Sequence, residues 1–171
     1  MERIKPLTKF PIIATKNVEK AEFQLSQSIA KLQIERIASR HDFLLEVNEV
    51  NLGRNTLHYN RFRVDTEIKS GPYTDTIFFV LGGGVPTTIH PDKERLVISP
   101  QKAAIITSAN QIKVARPENS ELLILRVSSS DLRHHFEKLM ARHDRGSLIF
   151  DRSIDVNSGP GAMFKRLLEH L

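Results

Sequence analysis

The chain has 171 residues, a net charge of +5, no cysteine and no tryptophan. That length suffices for one domain with a sizeable core, and the missing cysteines exclude a disulfide framework, a thiolate metal site and a cysteine nucleophile. No segment approaches the run of roughly 18 apolar residues that spans a bilayer, and the N-terminal stretch MERIKPLTKFPIIATKN lacks the apolar core and cleavage site of a signal peptide, so a cytoplasmic protein is expected.

Residues 1–16 read as an extended arm. Over 17–33, apolar residues at Val18, Ala21, Leu25, Ile29 and Leu32 keep helical spacing, with Asn17 placed as an N-cap. From about 43 to 127 the period changes. The runs FLLEVNEV, TLHYNRFRVDTEI, DTIFFVL, TTIH, RLVI, AAIIT, IKVA and ELLILRV are separated by turn signals and give about eight strands. No helix-length segment lies between them, and parallel strands need crossovers of about a dozen residues or more. An antiparallel sandwich or barrel follows.

After Val127 the helical period returns. In SSSDLRHHFEKLMARH the serines offer caps, Asp131 suits the first turn, and Leu132, Phe136, Leu139, Met140 and His143 form one stripe. DRGSLIFDRSIDVNSGPG reads as a loop with a short strand. Ser158, Gly159 and Pro160 then open a last helix that carries Met163, Leu167 and Leu168. The sequence stops inside that helix without a cap, which suggests a natural chain that continues.

Three motifs bear on chemistry. Gly82, Gly83 and Gly84 follow an apolar run, as in a phosphate loop, but Val85, Pro86 and a β-branched run come next where a helix N-terminus is required. The glycines therefore read as positive-φ residues of a hairpin or bulge. The seven histidines include no H-x-H and no H-E-x-x-H, and the adjacent His134 and His135 diverge by about 100° on a helix. They read as surface or hydrogen-bonded side chains, and no metal or other cofactor is expected. No G-x-S-x-G elbow for a serine hydrolase is present. The positive charge is scattered and reads as solvated surface before it reads as a site for an anion.

TLHYNRFRVDTEI is more informative. Read as one strand, it puts Leu57, Tyr59, Arg61 and Arg63 on one face and His58, Asn60, Phe62 and Val64 on the other. The face with one Tyr and two Arg is either an anchor for an anionic or aromatic ligand or a solvated outer surface. Of Phe78 and Phe79, one must point inward. The stripe on the helix after Val127 covers the sheet, pairs with a second copy, or does both.

The order of arm, helix, β-meander and two helices resembles the ligand-binding domain of AraC-family transcriptional regulators, in its cupin-like variety. The resemblance rests on HDFLLEVNEVNLGRNTLHYNRF, DTIFFVLGGGVPTTI, LVISPQKAAIITSA, ELLILRVSSSDLRHHFEKLM and SLIFDRSIDVNSGPGAMFKRLLEHL, and departs from the family's Pro-Gly turn at Pro100 and Gln101. It implies a mostly β, cupin-like jelly-roll barrel with an N-terminal helix before it and helices after it. On this reading 1–16 is an arm, 17–127 the helix and sensor barrel, and 128–171 a helical dimerisation and linker region. The helix-turn-helix DNA-binding part of the family is not found in this sequence. The expected partners are an anionic or aromatic small-molecule effector, a second copy of the chain, and DNA only through that further module. Tyr59, Arg61, Arg63, Phe78 and His90 are the expected ligand contacts, and Leu132, Phe136, Leu139, Met140 and His143 the pairing helix. The rival readings are a metal-dependent cupin enzyme, an isomerase or dioxygenase, and a barrel that serves only in assembly.

Overall fold

The computed structural model describes residues 5–29, 31–37, 41–140 and 149–169. The arm contributes a strand, β1 (Pro11–Thr15). Asn17 then caps helix α1 (Val18–Ser28), its side-chain oxygen accepting the Lys20 backbone N–H at 2.8 Å. The helical spacing runs on to Leu32, but Leu32 opens a strand, β2 (Leu32–Arg36). There Leu32 and Ile34 are buried and Gln33 and Glu35 exposed, so the two-residue period prevails where the two patterns overlap. Glu22 of α1 fixes the junction by accepting the Ile34 backbone N–H at 2.6 Å.

Nine strands follow: β3 (Leu45–Leu52), β4 (Asn55–Phe62), β5 (Thr66–Ser70), β6 (Thr76–Gly83), β7 (Thr87–Pro91), β8 (Leu96–Ile98), β9 (Lys102–Ile106), β10 (Ile112–Arg116) and β11 (Ser120–Ser128). The chain ends in helix α2 (Ser129–Met140), strand β12 (Ser153–Asp155) and helix α3 (Gly159–Glu169). The strands from β4 to β11 pair antiparallel as one nested hairpin: β4 with β11, β5 with β10, β6 with β9, β7 with β8. Folded over, that ribbon makes two facing sheets, one ordered β1-β3-β4-β11-β6-β9-β12 and the other β2-β5-β10-β7-β8. This is the jelly-roll connection pattern, and it bears out the expected mostly β, cupin-like fold class.

TLHYNRFRVDTEI departs from the single strand expected of it. It forms β4 and β5, which belong to different sheets, and Arg63 lies in the crossover between them. Val64 is buried in that crossover, and the Asp65 carboxylate accepts the Glu118 backbone N–H at 2.6 Å. A bend held at both points ends the alternation at Phe62.

Two apolar clusters fill the space between the sheets. One gathers Leu25, Phe43, Leu45, Phe62 and Val64, the other Phe78, Val80, Ile89, Ile98 and Leu122. A third cluster covers the outer face of the larger sheet, where Leu57, Tyr59, Leu81 and Leu123 meet Val156, Leu168 of α3 and Leu7 of the arm. The central strand β11 is therefore covered on both faces, Leu122 and Ile124 facing the interior and Leu123 and Leu125 the outer cluster, which explains its unbroken Leu122–Leu125 run. Among the described residues no helix is long and apolar enough to cross a membrane.

The three glycines divide their roles. Gly84, at φ +75°, turns the chain from β6 to β7, and because those strands lie in different sheets the turn is a crossover rather than a hairpin. Gly82 is a strand residue where a Cβ would come within 2.9 Å of Ile98 Cγ2.

Candidate ligand-binding site

β10 shows how the sequence builds the interior. In IKVAR, Ile112, Val114 and Arg116 share the inward face, while Lys113 points out to Glu67, 2.8 Å away. Arg116 is thereby carried between the sheets and is 2% exposed. Its Nε donates to Ser120 Oγ at 3.0 Å, and its Nη2 donates to the backbone oxygens of Ser120 at 3.1 Å and Asn60 at 3.4 Å. Nη1 donates to Asn60 Oδ1. The guanidinium carbon stands 4.6 Å from the centre of the Phe62 ring. Every one of these partners is neutral, and no carboxylate among the described residues forms an ion pair with it. Burial pulls its pKa down to about 9, which leaves it a cation at neutral pH.

Arg116 and Asn60 border an apolar cavity of about 70 Å³. Phe78, Leu122 and Ile124 line it from the larger sheet, Ile112 and Val114 from the smaller, and Leu25 and Ile29 of the α1 region lie at its edge. Phe78 is held there by Tyr73, whose ring meets it edge-on at 5.0 Å, while its neighbour Phe79 turns outward against Phe164 of α3.

His58 also occupies the inward face of β4. Its Nδ1 lies 3.1 Å from Glu49 Oε2, and its Nε2 has no partner. That contact with His58 holds the Glu49 carboxyl below its usual range against the opposing effect of burial. Arg126 of β11 donates to the Ser28 backbone oxygen at 3.0 Å, tying the sheet to the end of α1. A cupin-type metal would need three or more imidazole or carboxylate donors converging inside. Among the described residues no such group forms, and the His58–Glu49 pair does not fit that ion.

The five expected ligand contacts are not brought together. Phe78 lines the cavity. Tyr59 points the opposite way, into the outer cluster, beside a cleft of about 640 Å³ bounded by the arm and α3; burial pushes its phenol pKa up, and its hydroxyl has no hydrogen-bond partner. Arg61 shares that outer side, 3.6 Å from both Glu46 and Glu121. Arg63 is exposed in the crossover, and with Arg61, Lys5 and Glu46 it borders a shallow pocket of about 150 Å³. His90 sits half-buried on β7 opposite Lys113, away from the inward Ile89. Alternation along β4 sorts the faces correctly; it carries no sign of which face looks inward. Asn60 and Arg116 border the cavity and were not among the expected contacts. The available signal was a cation in phase with Ile112 and Val114.

Helix α2 has no buried residue. Leu132 is half-buried, whereas Phe136, Leu139 and Met140 are exposed, Leu139 to 85%. His143 lies outside the described residues. On α3, Met163 and Leu167 are also exposed.

The AraC-binding-like domain family matches residues 21–171. Among solved structures, the chain is similar to the AraC-like transcriptional activator CuxR, with a TM-score of 0.57 and 9% identity over 75% of this chain and 51% of that one. The chain thus spans about half the length of that protein. Weaker likenesses are to the Cnp3 cupin domain of Schizosaccharomyces pombe, with a TM-score of 0.44 and 9% identity over 62% of this chain and 79% of that one, and to KdgF from Halomonas sp., with 0.42 and 13% over 53% and 89%. A search of curated proteins found no match. With the family's pattern running from the first helix to the last residue of a jelly roll, the chain belongs to the AraC-binding-like domain family.

Proposed function

We propose that this chain is the small-molecule-sensing and dimerisation domain of an AraC-type transcription regulator, acting on a helix-turn-helix DNA-binding module carried elsewhere in the regulator. The observation that carries the reading is the apolar cavity between the sheets, bordered by Phe78 and by the buried Arg116 and Asn60. The route outward is short. β11 lines the cavity with Leu122 and Ile124 and passes into α2 without a loop, Ser128 ending the strand and Ser129 starting the helix. A ligand that favours one spacing of the two sheets biases the position of β11, and with it α2 and the apolar face that α2 exposes. The shift is limited to the difference in ligand affinity between the two arrangements. In this reading 1–16 is the arm, 17–127 the sensor and 128–171 the pairing and linker region.

The reading is tested by screening small molecules for thermal stabilisation of the purified chain, with sedimentation velocity run on each compound that stabilises it. A compound that raises Tm and changes the monomer–dimer balance supports it. A Tm unmoved by any compound, or a stabilising compound whose affinity Phe78→Ala leaves unchanged, removes the cavity from function.

A further inference from the structure

We infer that Arg116 anchors the anionic group of the effector, and that the effector is a short-chain aliphatic monocarboxylate. The inference rests on the sensing reading above and narrows it to a chemical class. The argument starts from an imbalance of charge. Taking an ion out of water costs several kcal/mol unless an opposite charge meets it, yet the charged side chain that borders the cavity is Arg116, whose hydrogen-bond partners are all neutral and which Glu121 attracts without forming an ion pair. The same inward face of β10 holds Ile112 and Val114, so an apolar residue at 116 would complete the wall with no such cost. Of the five N–H groups of a guanidinium, the contacts to Ser120 and Asn60 engage four: one on Nε, one on Nη1 and two on Nη2. One Nη1 donor remains for a further acceptor.

The cavity sets the rest of the ligand. Its one bordering cation suits a monoanion, since a doubly charged group would bring an unmatched charge into an apolar space. Most of the remaining lining is apolar, Phe78, Val80, Ile89, Ile106, Ile112 and Leu122 among it, and suits an alkyl chain. Size excludes much else. A cavity of about 150 Å³ is what holds benzene, and this one is about 70 Å³. That space takes a chain of about two to four carbons rather than an aromatic ring.

The test uses the purified chain at neutral pH, with calorimetric titration and thermal shift. Acetate, propionate and butyrate are compared with propionamide, sodium chloride and phenylacetate. Propionate or butyrate is expected to bind and raise Tm, while propionamide, chloride and phenylacetate do neither. Arg116→Gln is expected to weaken propionate binding by about tenfold or more, the scale of a charge-assisted contact. Val114→Phe, which fills the cavity and keeps Arg116, is expected to abolish binding with an unchanged circular dichroism spectrum. It decides the matter if Arg116→Gln does not fold. Propionamide binding as tightly as propionate overturns the anion assignment and leaves the sensing reading standing. Equal stabilisation by chloride reduces the site to one for inorganic anions, and tight phenylacetate binding overturns the size limit. Failure of acetate, propionate and butyrate alike to bind overturns the carboxylate assignment, while the sensing reading stands or falls on the wider small-molecule screen.

Discussion

Asp75 and Ser130 join the sheets to helix α2: the Asp75 Oδ1 accepts the Ser130 backbone N–H at 2.8 Å. The same carboxylate accepts the Ser130 hydroxyl at 2.9 Å, the Ser128 hydroxyl at 3.1 Å, and the Ser129 hydroxyl. The start of α2 is thus capped twice: Ser128 Oγ accepts the Asp131 backbone N–H at 3.3 Å, as a capping serine is expected to, and Asp75 of the β5–β6 connection accepts from all three serines.

Asp75 stands at φ 50°, a conformation that Asn tolerates and Ala does not. Asp75→Asn therefore isolates the charge. It is expected to raise hydrogen exchange in the first turn of α2 while leaving the exchange of β6 and β11 unchanged. The hydrogen bonds from Ser129, then Ser130, bring the Asp75 pKa down to about 2 from 3.8. A depressed carboxyl stabilises the fold above its unfolded value, and that contribution fades as pH falls from about 4 towards 2. After correction for the intrinsic pH dependence of amide exchange, protection factors in α2 should fall over that acid window in the parent and stay flatter in Asp75→Asn. Identical profiles would show that the cap does not hold the helix.

The cavity wall makes a second expectation. Phe78 is 4% exposed and packs edge-on to Tyr73. Phe78→Ala should destabilise the chain by about 3 kcal/mol or more in urea unfolding, since truncating a core Phe typically costs about 3–5 kcal/mol. The enlarged cavity should then admit ligands that the parent rejects. A loss below about 1 kcal/mol would mean the wall collapses onto the gap.

Much of this architecture was legible because its signals are local. Asn17 announced α1, the alternation in β3 and the continuous apolar runs of β6 and β11 between turn signals announced strands, and the serines announced α2. What was not legible depended on pairing at long range. Nothing within TLHYNRFRVDTEI marks the passage from one sheet to the other, and Val64, buried in the bend, reads like a strand residue. The same limit hid which side chains face the cavity. Tyr59 and Arg61 form a plausible charged anchor, but α3 and the arm cover that face of β4, so Asn60 faces the cavity instead. β2 was hidden by a helical pattern that Leu32 happens to continue.

The exposed stripe on α2 bears on pairing. Phe136, Leu139 and Met140 contribute nothing to the core, so charging them should not unfold the chain. If this face pairs two copies, Leu139→Asp with Met140→Asp shifts the sedimentation coefficient to that of a monomer, with Tm at low protein concentration unchanged. A dimer that survives both substitutions moves the contact elsewhere.

Gly82 and Gly84 separate two ways in which a glycine can be required. At Gly84 the backbone is left-handed at φ +75° but nothing lies within 4 Å of an added Cβ, so Gly84→Ala bears conformational strain alone, about 1–2 kcal/mol. At Gly82 no such strain arises, but the added Cβ would lie 2.9 Å from Ile98 Cγ2 and 3.2 Å from the Ser99 backbone. Ile98 is fully buried, and Ser99 is held by reciprocal backbone hydrogen bonds to Lys102, so neither yields freely. Gly82→Ala should therefore cost about 1–3 kcal/mol through overpacking. Ile98→Ala, which removes the Cγ2 methyl that the added Cβ would meet, should relieve part of that cost in the double variant and none of the cost of Gly84→Ala. The coupling is read from urea midpoints in two double-mutant cycles. Equal coupling of both glycines to Ile98 would place Gly82 away from β8.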